Sequence, residues 1–202
     1  MSILNALPGA IAQGLIWGLM AIGVFLTYKV LDFADLSVDS SICTGAAVCA
    51  VLMTNGVNVY LALLAAFASG LLAGLLTGLL HTVLGISPIL SGILTQLTLW
   101  SLNLKIMGQA NLPLSSRQFH VLVSQLSIGS TILILVGINA VLIGLLYWFF
   151  GTELGSSIRA TGSNEQMSKA QGINTNRTKI ITLMLSNGIV ALSGALLAQY
   201  QG

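Results

Sequence analysis

Residues 151–179 read GTELGSSIRATGSNEQMSKAQGINTNRTK and form a long polar segment between two long apolar runs. The segment holds four of the seven basic residues of the chain and two of the five acidic ones. The apolar runs on either side are long enough to cross a bilayer, which requires about 20 residues per helix. A charged segment of this length in an otherwise apolar chain predicts a surface on which a soluble partner docks.

The composition predicts an all-α, polytopic membrane protein. Hydrophobic residues make up 55% of the chain and charged residues 6%, whereas ordinary soluble domains are about 25% charged. We expect residues 1–202 to form a single transmembrane domain, a helical bundle of about five to six spans with a short or broken second helix. No basic face could hold phosphates, which argues against nucleic acid as a partner. The N-terminus lacks a basic region and a cleavage pattern, so we expect no cleaved signal.

Apolar segments long enough to be spans lie at residues 7–28, 57–80, 89–107, 128–150 and 180–200, with a polar linker at residues 109–127. A further segment at residues 42–53 would be only about 18 Å long as a helix, against a hydrocarbon core of about 30 Å. It must take in residues 38–41 or be a broken or re-entrant element buried in protein. One span carries small residues at every fourth position, a pattern typical of close helix packing in membranes: Ala62, Ala66, Gly70, Gly74 and Gly78. A groove lining a pore is the less favoured interpretation of this pattern.

The basic residues predict the orientation. If residues 151–179 are cytoplasmic, alternation of the spans places five basic residues inside, namely Lys29, Arg159, Lys169, Arg177 and Lys179, and leaves Lys105 and Arg117 outside. The positive-inside rule favours this arrangement. We therefore expect a multi-pass membrane protein, in contact with membrane lipid, with the charged loop in the cytoplasm.

A short helix is predicted inside the loop at residues 164–171. Ser163 is expected to be its N-cap, and Gln166, three residues later, completes a capping box. Glu165 can pair with Lys169 at i,i+4, and Gly172 sits where a glycine commonly ends a helix. A helix of about two turns is marginal in water, so it needs a surface on which to dock.

Arg159 and Gly162 lie just upstream of that helix. They are expected to supply a charged contact and a flexible joint.

An acidic cluster, Asp32, Asp35 and Asp39, follows the first span. If Ser37 is an N-cap, Asp39 lies at the second helical position, where the helix dipole stabilises a carboxylate. Capping with interfacial solvation is the favoured interpretation, a role at the inner mouth of a pathway or in contact with the partner is the second, and a site for a hard cation is the least favoured. We predict no metal site and no cofactor.

Polar side chains within the spans are candidates for a translocation pathway. Gln96 and Asn103 are seven residues apart and share a helix face, which we expect to point toward the protein interior. Asn187 lies in the last span. Together with Asp35 and Asp39, they are the candidate pathway residues.

Two stretches carry a family resemblance. ELGSSIRATGSNEQMSKAQGI at residues 153–173 and SNGIVALSGALLAQYQG at residues 186–202 resemble the permease subunits of ABC importers of the branched-chain amino acid and simple-sugar type. The resemblance implies that the segment with Arg159, Gly162 and Gly172 is a cytoplasmic coupling helix seated on an ATP-hydrolysing subunit. LDFADLSVD at residues 31–39, with GAAV after it, further resembles a subgroup linked to tryptophan and tyrosine uptake.

The resemblance also implies the partners: an ATP-binding cassette ATPase, an extracytoplasmic substrate-binding protein and a second permease copy. Coupling would run through residues 163–171, with Ser163, Glu165 and Lys169 among the contacts, and the solute is expected to be an amino acid. Members of the family continue through several further spans, so the chain is expected to correspond to about the first two-thirds of a permease.

The alternatives belong to other classes. The chain has no Walker loop of the G-x-x-x-x-G-K-[ST] type, so we expect no ATPase site and no catalytic residues of its own. The runner-up is an ion-coupled secondary transporter, but no ionisable residue lies in the middle of a span, where a proton relay would be expected. An intramembrane enzyme is less favoured, because His81 and His120 fall at the edges of spans.

Overall fold

The computed structural model describes residues 2–109 and 128–201, and these residues form helices and connections without a strand. The helices are α1 (Ser2–Phe25), which continues into a π-helical turn (Leu26–Val30), α2 (Val38–Thr54), α3 (Val59–Thr82), α4 (Pro88–Met107), α5 (Ile128–Phe150), α6 (Glu153–Ser163), α7 (Glu165–Ala170) and α8 (Thr175–Gln201). The expected helical membrane bundle is confirmed. The polar connection predicted at residues 109–127, which contains Arg117 and His120, lies for the most part outside the described residues.

Within the described part of the chain, four helices are long and apolar enough to cross a membrane: Leu7–Val30, Val59–Thr82, Gly129–Phe150 and Thr175–Gln201. Helix α4 is 20 residues long, but its threonine, serine, glutamine and asparagine side chains interrupt its apolar stretch, and it is not among these four. Helix α2 is continuous and starts at Val38, so the short segment does take in residues 38–41. With 17 residues, it is about 25 Å long at 1.5 Å per residue.

Helix α8 lies at the centre of the bundle. In its most apolar window 67% of the residues are buried, against 28% for α1, 33% for α3 and 6% for α5. Its neighbours approach it through small residues. A Cβ added to Gly70 of α3 would collide with the backbone carbonyl of Asn187, and one added to Gly74 with that of Leu183. A Cβ added to Gly45 of α2 would likewise collide with the α8 backbone.

The predicted packing ridge of α3 is therefore confirmed. All five of its small residues are buried, and two of them, Ala62 and Ala66, share an apolar cluster with Ala195 of α8. In a bilayer, lipid tails give little hydrophobic drive for helix association, so close backbone contact of this kind supplies the van der Waals attraction that holds helices together.

Between α1 and α2 the chain passes through a π-helical turn and then residues 31–37, which we call the linker. The π turn closes with a hydrogen bond from the Leu31 amide to the Leu26 carbonyl at 3.1 Å. Asp32 then takes a positive φ of 55°, and the Phe33 amide donates to the Thr27 carbonyl at 2.9 Å. These bonds end the first span and turn the linker back across the end of the bundle.

Candidate functional site

The polar loop at residues 151–179 folds into two short helices, α6 and α7, set at the same end of the bundle as the linker. Thr152 is the N-cap of α6, and its hydroxyl oxygen accepts from the Gly155 amide at 3.4 Å. Ile158 is buried with Leu31, Phe33 and Leu183. This buried face fixes α6 against the linker and α8.

Helix α6 was not predicted from the sequence. A signal for it exists: Thr152 is followed at once by the acidic Glu153, a combination typical of a helix start. Its many small polar residues, however, also suit a loop, and the helix depends on the apolar neighbours of Ile158.

Gly162 is a close-contact residue within α6, so its predicted role as a flexible joint is wrong. A Cβ at this position would collide with the carbonyl oxygen of Val30 in the π turn. An open cleft of about 380 Å³ lies beside this contact, lined by Tyr28, Lys29, Val30, Asp32, Gly162 and Ser163. The absence of a side chain at Gly162 is what lets α6 rest on the end of α1.

Arg159 does not reach the α7 surface. Its guanidinium Nη2 donates to the Phe150 carbonyl at 3.0 Å, so the side chain runs back toward the end of α5. The residue is exposed and lies in a surface cavity of about 520 Å³ together with Tyr147, Trp148 and Phe150. It thus fastens α6 to the aromatic end of α5.

Helix α7 spans Glu165–Ala170, and its N-cap is Asn164 instead of the predicted Ser163. Asn164 is extended, with φ −158° and ψ 103°, and its Oδ1 accepts from the Met167 amide at 3.0 Å. Because α6 continues through Ser163, that residue cannot adopt the extended N-cap conformation. The predicted capping box between Ser163 and Gln166 is therefore wrong.

The predicted end of the helix is confirmed. Gly172 has φ 82°, its amide donates to the Lys169 carbonyl at 3.0 Å, and the Ile173 amide donates to the Ser168 carbonyl at 3.0 Å. This pair of bonds is a Schellman ending, which glycine makes possible because it adopts a positive φ without strain.

Glu165 connects α7 to α8. The expected i,i+4 pair is confirmed, with Lys169 Nζ 2.9 Å from Glu165 Oε1, and a second lysine, Lys179, lies 2.8 Å from Glu165 Oε2. The hydrogen bonds from Lys179 and then Lys169 lower the pKa of Glu165 from 4.5 to about 2. Gln166, Met167 and Lys169 remain exposed, and we call these three residues the α7 face.

A second polar cluster lies where the linker meets α8. The Asn187 amide nitrogen donates to Asp35 Oδ2 at 2.8 Å, and Asn187 Oδ1 accepts from the hydroxyls of Ser41 at 2.6 Å and Ser37 at 3.2 Å. Asp35 Oδ1 also accepts from the Ser37 amide at 2.8 Å. We call Asp35, Ser37, Ser41 and Asn187 the linker cluster; it holds the start of α2 against the central helix.

The structure brings two of the five candidate pathway residues together, Asp35 and Asn187. Asp39 is exposed in the first turn of α2, where Ser37 occupies the N-cap position as predicted but uses its hydroxyl within the linker cluster. On α4, Gln96 is half-buried. Asn103 is 4% exposed and faces the interior as expected, and among the described residues its amide atoms have no hydrogen-bond partner.

The described residues contain no group of three or more histidine, cysteine, aspartate or glutamate side chains that could hold a metal ion. The polar contacts of the loop and of the linker cluster described above are ion pairs and hydrogen bonds.

Residues 7–202 match the family described as branched-chain amino acid transport system / permease component. The chain is 43% identical over 199 residues to a tyrosine transport system permease protein of Clostridioides difficile (strain R20291), covering 98% of this chain and 66% of that one. It is 30% identical over 199 residues to the uncharacterized protein RP368 of Rickettsia prowazekii (strain Madrid E), covering 98% of this chain and 70% of that one. No solved structure shows a significant match.

The chain thus spans about two-thirds of the length of these relatives, 66% and 70%. The family match covers the loop, the linker cluster and the central helix together. This chain is a multi-pass membrane protein that belongs to the permease-component family of branched-chain amino acid transport systems.

Proposed function

We propose that the chain forms the membrane-spanning permease part of an ATP-driven importer for an amino acid, and that it receives energy from a separate ATPase subunit docked on α7. The observation that carries this proposal is α7 itself. A helix of six residues is far below the roughly 12–15 residues that an isolated helix needs in water. Yet it has a side-chain cap, a Schellman ending and two ion pairs, while its α7 face is left exposed.

The α7 face suits a protein partner. Met167 is 61% exposed, and flexible, polarizable methionine side chains are well adapted to pack into a partner's groove. Lys169 beside it adds a charge that can steer association. Glu165 pairs with both Lys169 and Lys179 and holds α7 on the side that faces the bundle. The partner therefore meets a preorganised surface.

The cytoplasmic side of a bacterial plasma membrane is the proposed location of the loop. An extracytoplasmic binding protein would deliver the solute at the opposite face, and a second permease copy would complete the transporter. We propose an aromatic amino acid as the solute, because the relative that is 43% identical is named a tyrosine transport permease.

For the solute route we propose the region between the linker cluster and α4. Asn103 supports it, since a buried amide without a partner among the described residues is costly unless something polar meets it. Asp35 and Asn187 would border the inner end of this route, with Asp39 and Gln96 flanking it on α2 and α4.

The coupling role is tested in the assembled transporter by Gly162→Val and Arg159→Gln. We expect both variants to insert in the membrane but to lose substrate-stimulated ATP hydrolysis, because α6 can no longer hold α7 in place. Gly137→Val on α5, where an added Cβ meets nothing within 4 Å, and Lys105→Gln at the opposite membrane face serve as matched controls. Wild-type stimulation in both loop variants would contradict the docking role.

A second experiment separates the two transporter classes. Dissipating the proton gradient should leave uptake intact while ATP is present. Collapse of uptake at a constant ATP concentration would favour an ion-coupled secondary transporter instead.

A further inference from the structure

His81, in the last turn of α3, contacts three other parts of the chain. Its Nδ1 lies 2.8 Å from the Ile86 carbonyl oxygen in the α3–α4 turn, and its Nε2 lies 3.3 Å from Lys179 Nζ of α8. The Phe33 ring of the linker meets the imidazole edge-on, with 5.1 Å between ring centroids and 79° between planes. One side chain therefore joins α8, the α3–α4 turn and the linker.

The hydrogen-bond partners determine the protonation of the ring. A carbonyl oxygen can only accept, so Nδ1 carries the proton and donates it to Ile86. Nε2 then keeps its lone pair and accepts from the Lys179 ammonium. The Lys179 ammonium has three N–H groups, so it can donate one to His81 and another to Glu165.

Lys179 is the middle member of this chain of contacts. Its side chain is 14% exposed, and its Nζ lies 2.8 Å from Glu165 Oε2. The other attachment of the Glu165 carboxylate to α8 is a longer bond, 3.4 Å from the Thr175 hydroxyl. Of these two contacts of Glu165 with α8, the one with Lys179 is the shorter and carries the ion pair.

The contacts continue from His81 to the linker cluster. Phe33 is buried, and with Leu31, Ile158 and Leu183 it forms one apolar cluster, so it cannot shift independently of its neighbours. Two residues later, Asp35 holds Asn187 through the 2.8 Å bond. The path from α7 to the linker cluster thus runs through the side chains of Glu165, Lys179, His81 and Phe33 and then along the linker backbone to Asp35.

We propose that Lys179 and His81 are positioning residues that transmit a displacement of α7 to the linker and the α3–α4 turn. This inference rests on the proposed function, since it takes α7 to be the place where an ATPase acts. It goes further because it assigns a role in coupling to His81 of α3 and Lys179 of α8, which both lie outside α6 and α7.

Two variants of His81 distinguish the effect of its hydrogen bonds from the effect of its aromatic ring. His81→Phe keeps an aromatic ring against Phe33 but removes both nitrogens, whereas His81→Gln keeps a side-chain acceptor for Lys179. In the assembled transporter, His81→Phe should retain the ATPase and its basal hydrolysis but lose about tenfold in substrate stimulation, a size within the usual range of coupling between sites. His81→Gln should recover part of the stimulation.

Two lysine variants complete the set. Lys179→Met should behave like His81→Phe, and Lys179→Arg, which keeps the donor groups, should remain close to wild type. Arg177→Met is the matched control, because Arg177 is an exposed cation in the same turn of α8. Full stimulation in His81→Phe or in Lys179→Met would overturn the proposal.

A spectroscopic measurement on the chain alone does not depend on transport. Nitrogen-15 NMR of His81 should show a protonated Nδ1 and an unprotonated Nε2, with the Nε2 resonance shifting in Lys179→Met and staying in place in Arg177→Met. A protonated Nε2 would overturn the assignment. Absence of stimulation in the wild-type assembly would defeat both proposals, whereas normal wild-type stimulation with unaffected variants would defeat this one alone.

Discussion

Glu165 is the residue on which the loop's electrostatics depend. It accepts from two lysines, and its pKa is lowered from 4.5 to about 2. A carboxylate whose pKa is depressed in the folded state stabilises that state fully above its ordinary pKa, and this contribution is lost as the pH falls toward the lowered value. The attachment of α7 should therefore persist at pH 5 and weaken between about pH 4.5 and 2.

The titration of Glu165 can be followed by carbon-13 NMR of its carboxyl carbon in the detergent-solubilised chain. Lys179→Met should raise the midpoint more than Lys169→Met does, because the hydrogen bond from Lys179 is the larger cause of the shift. Equal midpoints in the two variants, or a wild-type midpoint at the ordinary value, would contradict this order.

Asn187 is the residue that joins the linker to the central helix. In Asn187→Leu the half-buried Asp35 carboxylate and the buried Ser41 hydroxyl each lose a partner, and a polar group left unsatisfied in a buried site costs about 1–3 kcal/mol. Thermal unfolding should show this loss of stability, whereas Asn176→Leu, an exposed position in the same helix, should change little. A similar melting temperature in both variants would show that water replaces the amide.

At the scale of the helices, α7 allows a direct comparison of its N-cap, Asn164, with the neighbouring Ser163 that the sequence predicts as the N-cap. Asn164→Ala removes the acceptor of the Met167 amide and should cost about 1 kcal/mol of helix stability. Hydrogen exchange at the Met167 amide should then be several times faster, while Ser163→Ala should leave the exchange rate unchanged. The reverse result would restore Ser163 as the cap.

The same helix shows which features the sequence could predict. The Glu165–Lys169 pair and the glycine at position 172 are local, since each follows from spacing along a helix. The choice of Asn164 over Ser163 is not local: it depends on α6 reaching Ser163, and α6 is held there by the contact of Gly162 with Val30. The link between Asp35 and Asn187 spans 152 positions, a separation over which spacing gives no information.

At the scale of the whole molecule, α8 is surrounded while α5 stands at the edge. Gly74→Val would force a side chain into the backbone of α8, and overpacking of this kind costs about 1–3 kcal/mol or more. Gly144→Val on α5 meets nothing within 4 Å and is the matched control. Thermal unfolding in detergent should separate the two variants clearly, and equal stability would contradict the central place of α8.

The four membrane-length helices in the described part of the chain could be predicted from composition and segment length, because burial in lipid requires long apolar runs. Which helix lies in the centre could not be predicted in the same way. Helices α3 and α8 both carry small residues, yet α8 also contains Ser186, Asn187 and Ser193, whose side chains form hydrogen bonds to α1, the linker and α2.

The π turn at the end of α1 sets a constraint on the length of the chain. A π turn accommodates one more residue than an α-helical turn, and here the extra residue is taken up between Leu26 and Leu31. Deleting a single residue from this turn would draw the linker one residue closer to α1, and the Leu31–Leu26 and Phe33–Thr27 hydrogen bonds could not form in their present register. The bond between Asp35 and Asn187 depends on that register, so single-residue deletions here should be far less tolerated than substitutions.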